Sequence, residues 1–184
     1  MGRTWDVADL RMRDAPRYRR GVRRVGVVLV ACALLLGLGA CGGGGRSSGQ
    51  TLDASFSRFD GSQSNFRDYR GKPVVVNFFS STCVPCQTEM PAFEQIHRAA
   101  GDAVTFLGMD VQDTVASGKA FVATVGVTWD MGRDPDASIL QSLAGVGLPT
   151  TVVLDRDGRV VYKHLGQLDA GELGRQLRDH GFTT

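Results

Sequence analysis

Two cysteines separated by two residues, Cys83-Val84-Pro85-Cys86, are the residues of this chain whose type and spacing point most directly to chemistry. The run Val74-Val75-Val76-Asn77-Phe78-Phe79 before them is β-branched and aromatic with little alternation, the pattern of a strand buried on both faces. A polar turn, Ser80-Ser81-Thr82, follows, and beyond Val84 the residues Met90, Phe93, Ile96 and Ala100 recur at helical spacing. The pair therefore falls where a strand turns into a helix. At such a place unpaired backbone N–H groups and the helix dipole favour a thiolate. Cys83 is expected to be the exposed nucleophile, and Cys86, one turn into the helix, the resolving thiol that closes a disulfide with it. Half of a zinc site is one alternative, but there is no second cysteine pair, and His97, His164 and His180 show no ligand spacing. A purely structural disulfide is another, and so short a loop would restrict the unfolded chain little. Redox exchange is the expected chemistry, with no metal and no cofactor beyond the Cys83–Cys86 disulfide.

The elements that must position this pair can be read along the chain. Phe56 to Phe59 reads as a short strand entering a turn at Asp60-Gly61, and Asn65 to Tyr69 as one helical turn. Pro91 should kink the helix that begins at Val84. Val104 to Met109 is a second apolar strand, Gly118 to Val125 a helix, Val127 to Trp129 a short extended piece and Ala137 to Leu143 a further helix. Thr150 to Leu154 and Arg159 to His164 form strands joined by Asp155-Arg156-Asp157-Gly158, a hairpin signal. The last helix starts at Leu168-Asp169, with Asp169 and Glu172 at capping-box spacing. Early βαβ units followed by a hairpin give an α/β fold with a central mixed β-sheet flanked by helices on both faces. Phe79, Phe93, Phe106 and Trp129 are expected in the core or groove wall, and the three histidines at the surface.

Residues 1–40 hold eight of the 21 basic side chains and three of the 19 acidic ones, leaving 13 basic against 16 acidic for the remainder. The positive charge therefore belongs to the N-terminal segment, and the body offers no basic patch for nucleic acid. Arg17, Arg19, Arg20, Arg23 and Arg24 precede an uncharged stretch, Val25 to Ala40, of signal-peptide length and shorter than the ~20 residues of a membrane-spanning helix. It ends in Leu38-Gly39-Ala40-Cys41, which resembles a bacterial lipoprotein signal and implies cleavage before Cys41 with a lipid on its sulfur. A signal peptide with Cys41 incidental, or a short uncleaved anchor helix, are the alternatives, and Met12 is a second candidate start. The expected organisation is a signal peptide over 1–40, a Gly/Ser tether over 41–49 and one domain over 50–184.

The segment from Val75 to Pro91, including Cys83-Val84-Pro85-Cys86-Gln87-Thr88-Glu89-Met90-Pro91, resembles the active site of the TlpA/ResA-like branch of thioredoxin-fold proteins. Gly147-Leu148-Pro149-Thr150 is similar to that family's cis-proline loop, and Asp155-Arg156-Asp157-Gly158 and Gly166 fit its C-terminal pattern. The resemblance runs from about Gln50 to Gly181 and implies a thioredoxin-like fold. It implies further that Pro149 lies against the cysteine pair, that the Leu148 backbone receives a client chain as an added strand, and that Glu89 assists proton transfer near the resolving thiol. Glu89 read alone could equally be a solvated first-turn glutamate favoured by the helix dipole. Two departures stand out. Asn77 occupies the place of thioredoxin's buried acid, and Thr82 the place of the tryptophan usual before the first cysteine.

The expected function is extracytoplasmic thiol–disulfide exchange with protein clients such as apocytochrome c, as a reductant in cytochrome c maturation. A membrane electron-donor or acceptor protein would serve as redox partner, and a lipid on Cys41 would anchor the chain to the outer face of the cytoplasmic membrane. A secreted disulfide-forming oxidant is the main alternative. A peroxiredoxin-like peroxidase would need a proline where Val76 stands, although Ser80 fits the Thr/Ser place of that motif. A non-enzymatic lipoprotein binding module would have no need of both cysteines.

Overall fold

The computed structural model describes residues 49–182. In chain order these form β1 (Ser55–Arg58), β2 (Gln63–Asn65), a 3₁₀ turn (Phe66–Tyr69), β3 (Val74–Phe79) and α1 (Val84–Ala100). There follow β4 (Thr105–Val111), α2 (Val115–Val125), β5 (Asp130–Asp134), α3 (Ser138–Ser142), β6 (Thr150–Leu154), β7 (Val160–Leu165) and α4 (Ala170–Asp179). The expected signal peptide, the expected lipid site at Cys41 and most of the expected tether lie outside the described residues.

All seven strands join one sheet in the order β2-β1-β5-β4-β3-β6-β7. Strands β3, β4 and β5 run parallel, while β6 pairs antiparallel with β3. The sheet is mixed and helices cover both faces, the thioredoxin-like arrangement. Side-chain alternation along β3 builds two cores. Val75 and Phe79 face one, with Cys86, Met90 and Phe93 of α1, Phe121 of α2, and Leu173 and Leu177 of α4. Val74, Val76 and Phe78 face the other, with Phe56, Phe66, Leu107, Met109, Ile139 and Leu140. Phe79, Phe93, Phe106 and Trp129 are all buried, as expected. His97 is not a surface residue: it is half-buried, with its ring centroid 5.4 Å from that of Phe106 and 5.9 Å from that of Trp129.

Two strands depart from the sequence reading. β2 is three polar residues long, and it forms because Ser55, Phe56 and Ser57 of β1 offer it a paired edge. β5, Asp-Met-Gly-Arg-Asp, lies just beyond the expected extended piece at Val127 to Trp129. Gly132 is required there by crowding, since a Cβ would overlap the Phe56 ring and the Met109 sulfur. Helix α2 begins three residues before the expected Gly118, because the Thr114 side chain caps it by accepting from the Ser117 N–H at 3.1 Å. Helix α1 runs on through Pro91, with Met90 and Phe93 buried on either side of it.

Candidate active site

Cys83 terminates the turn after β3 and is itself the N-cap of α1, in extended conformation, with a proline in the helix's first turn. Pro85 suits this position because its fixed φ is helical and its missing N–H would be unpaired there anyway. The Cys86 N–H donates to Cys83 Sγ at 3.3 Å. The two cysteines are joined in a disulfide with Cα atoms 5.3 Å apart. Cys86 is completely buried, and Cys83 is only 9% exposed in this oxidised state, less open than the sequence reading supposes. The neighbouring Val84, by contrast, is 69% exposed. An opened Cys83 sulfur sits at a helix N-terminus, where negative charge is favoured.

Glu89 follows Cys86 by three residues on α1, so both lie on one helical face, about 5–6 Å apart at Cβ. It is no solvated glutamate, being 2% exposed. Its Oε1 accepts from Asn77 Nδ2 at 2.7 Å and from Thr151 Oγ1 at 3.5 Å, and its Oε2 accepts from the Leu168 N–H. Asn77 and Thr151 are register partners on β3 and β6, so the sheet itself presents both donors to the helix. Burial pushes the Glu89 carboxyl up to about 7, against the opposing pull of the hydrogen bonds from Leu168, Asn77 and Thr151. A carboxyl held there can take or give a proton at neutral pH.

The Leu148–Pro149 peptide is cis. Since Phe78 pairs with Thr150, Pro149 comes level with the end of β3, beside the turn that carries Cys83. Leu148 packs against the cluster that contains both cysteines. The loop is fixed by Thr150 Oγ1 donating to Gly147 O at 2.7 Å and Gly166 N donating to Pro149 O at 2.8 Å. Among the described residues the Leu148 backbone makes no such bond. Val146, two residues earlier, is 87% exposed.

The sequence reading missed Asp113. Its carboxylate accepts from both the N–H of Ser81 and, at 2.8 Å, the Ser81 hydroxyl, tying down the turn two residues before Cys83. An acid just past the apolar strand β4, at the sheet end where βα turns gather, was the available signal. No group of three or more His, Cys, Asp or Glu among the described residues could hold a metal ion.

A strand–CxxC–helix unit facing a cis-proline loop on a mixed sheet defines a dithiol–disulfide protein of the thioredoxin superfamily. The chain belongs to the AhpC/TSA family, which it matches over residues 49–163. It is 30% identical over 121 residues to the thiol-disulfide oxidoreductase ResA of Bacillus anthracis, covering 65% of this chain and 69% of that protein. The structure of MTB dsbF in its mixed oxidized and reduced forms superposes with a TM-score of 0.64 at 27% identity, over 70% of this chain and 95% of that one. A secreted Mycobacterium tuberculosis disulfide oxidoreductase homologous to E. coli DsbE gives 0.61 at 25% identity, over 70% and 96%. The chain is thus an enzyme, a thiol–disulfide oxidoreductase, and its clients are protein thiols.

Proposed function

We propose that the protein works outside the cytoplasm, held to the membrane by a lipid on Cys41, and reduces disulfides in client proteins such as apocytochrome c. The observation that carries this reading is the Cys83–Cys86 disulfide at the N-terminus of α1 with the buried Glu89 carboxyl one turn beyond it. In the forward step the Cys83 thiolate attacks a client disulfide, and one client thiolate leaves. Cys86 then gives its proton to Glu89 and attacks the Cys83 sulfur. The second client thiolate is released, the client has gained two electrons, and the Cys83–Cys86 disulfide has formed. The Leu148 backbone beside Pro149 holds the client chain in extended form during the exchange. A membrane electron-donor protein returns the pair to dithiol.

Similarity to ResA and to a secreted oxidoreductase supports the extracytoplasmic setting. The peroxidase reading is not favoured. Val76 is buried in mid-strand between β4 and β6, where a proline would break the ladder. The organisation proposed with it is a signal peptide over 1–40, a tether over 41–49 and a redox domain over 50–184.

The direction of exchange is tested by the reduction potential of residues 50–184 equilibrated against glutathione. A reductant should lie near or below about −200 mV, and a value near about −120 mV would make the protein a disulfide donor instead. Mass spectrometry of the mature N-terminus should find a lipid on Cys41 that Cys41→Ser abolishes.

A further inference from the structure

Behind the turn that carries Cys83 lies a second buried carboxyl. Asp110, in the apolar strand β4, is 1% exposed. Both its oxygens are buried without a hydrogen-bond donor among the described residues. Its register partners are Phe79 on β3, which carries no charge, and Arg133 on β5. From α2 Gly118 faces it, where a Cβ would overlap the Asp110 carboxylate and the Phe59 ring. The polar group within hydrogen-bonding reach is the carboxyl of Asp113. Asp113 in turn holds the Ser81 N–H and hydroxyl, while Arg133 Nη2 donates to the Asp113 backbone carbonyl at 2.9 Å.

Two carboxyls in contact, one without any donor, are accommodated by a proton between them. We propose that Asp110 and Asp113 share one proton and together act as positioning residues for the exchange reaction, latching the Ser80–Thr82 turn that presents Cys83. While the proton is held, Asp110 donates to Asp113, and Asp113 keeps its remaining lone pairs for Ser81. When it is lost, two adjacent carboxylates repel, opposed by the cation of Arg133, and Ser81 is released. Burial, followed by the hydrogen bond and charge of Asp113, pushes Asp110 up to about 8, and Arg133 opposes the rise, so Asp110 holds its proton at neutral pH. The functional half of this proposal rests on Cys83 being the residue that exchanges; the latch itself does not.

The test uses the oxidised protein in detergent, where the Cys83–Cys86 disulfide does not titrate. Amide chemical shifts are followed by NMR from pH 5 to 10. The Ser81 amide should move with a midpoint near 8, while the Leu168 amide, bonded to Glu89, should move near 7. Asp110→Asn keeps a donor toward Asp113 but cannot titrate. It should abolish the Ser81 transition and leave that of Leu168, and Glu89→Gln should do the reverse. Asp113→Asn, a second variant should the first fail to fold, removes the neighbouring charge and should lower the Asp110 midpoint. Reduction by glutathione, corrected for glutathione's own ionisation, should slow about threefold with a midpoint near 8 in the unmodified chain, and that step should vanish in Asp110→Asn, leaving only the dependence near 7 that belongs to Glu89. A Ser81 transition that survives Asp110→Asn, or that follows Glu89, overturns the latch. Ser81 behaving as described with identical pH–rate profiles overturns only its bearing on exchange.

Discussion

Glu89 shows how surroundings turn a helix glutamate into a buried carboxyl whose pKa lies in the neutral range. The same helix position open to water would ionise as an ordinary carboxylate. Here three donors from β3, β6 and the residue before Asp169 hold it, and burial still raises it to about 7. Replacing it by Gln keeps the size and loses the proton site. Glu89→Gln should slow the step in which Cys86 resolves a mixed disulfide by about 10²-fold, and should erase a limb of the pH–rate profile centred near 7. Stopped-flow release of a client thiol, measured across pH 5.5 to 9, checks both. Alkylation of the reduced Cys83 should stay fast in the same variant. The position of Glu89 was legible in the sequence, since three residues after Cys86 on a helix places it on the same face. Its partners were not, because Thr151 and Leu168 are 62 and 79 residues away and only the folded sheet brings them together.

Local pattern revealed the elements wherever it and the tertiary fold agree. β3 and β6 have the expected bounds because their β-branched runs are also the buried centre of the sheet. β5 and β2 were not legible, because Gly, Asp, Arg, Gln and Asn carry no strand preference and take strand form only against a neighbour. The start of α4 is intermediate. Asp169 is the N-cap as expected, with Oδ1 accepting from Gly171 N at 2.8 Å and Glu172 N at 3.3 Å. Glu172 does not return the bond, and pairs instead with Arg175 and Gln176. Asp169→Ala should therefore cost about 1 kcal/mol, read as a lowered urea midpoint with unchanged slope. Leu168, directly before the cap, donates to Glu89, so the same variant should also move the Glu89 midpoint upward by weakening a bond that favours the carboxylate.

For the whole molecule, the two buried carboxyls set how stability follows pH. Both have folded pKa values above their ordinary ones, Glu89 at about 7 against 4.5 and Asp110 at about 8 against 3.8. The folded chain thus binds more protons than the unfolded chain between those limits. Stability from each group is full below its unfolded value and declines as pH rises toward the folded one, by at most about 1.4 kcal/mol per pH unit per group. The oxidised protein should unfold at lower urea concentration at pH 8 than at pH 5, and the Glu89→Gln, Asp110→Asn double variant should show a flatter dependence. An equal dependence in both would remove these groups as its cause. The central claim, that Cys83 exchanges with clients and Cys86 resolves, is tested most directly by trapping in the cells that make the protein. Cys86→Ser should accumulate mixed disulfides with client proteins that dithiothreitol releases, and Cys83→Ser should accumulate none. Adducts formed only by Cys83→Ser, or by neither variant, would contradict the account.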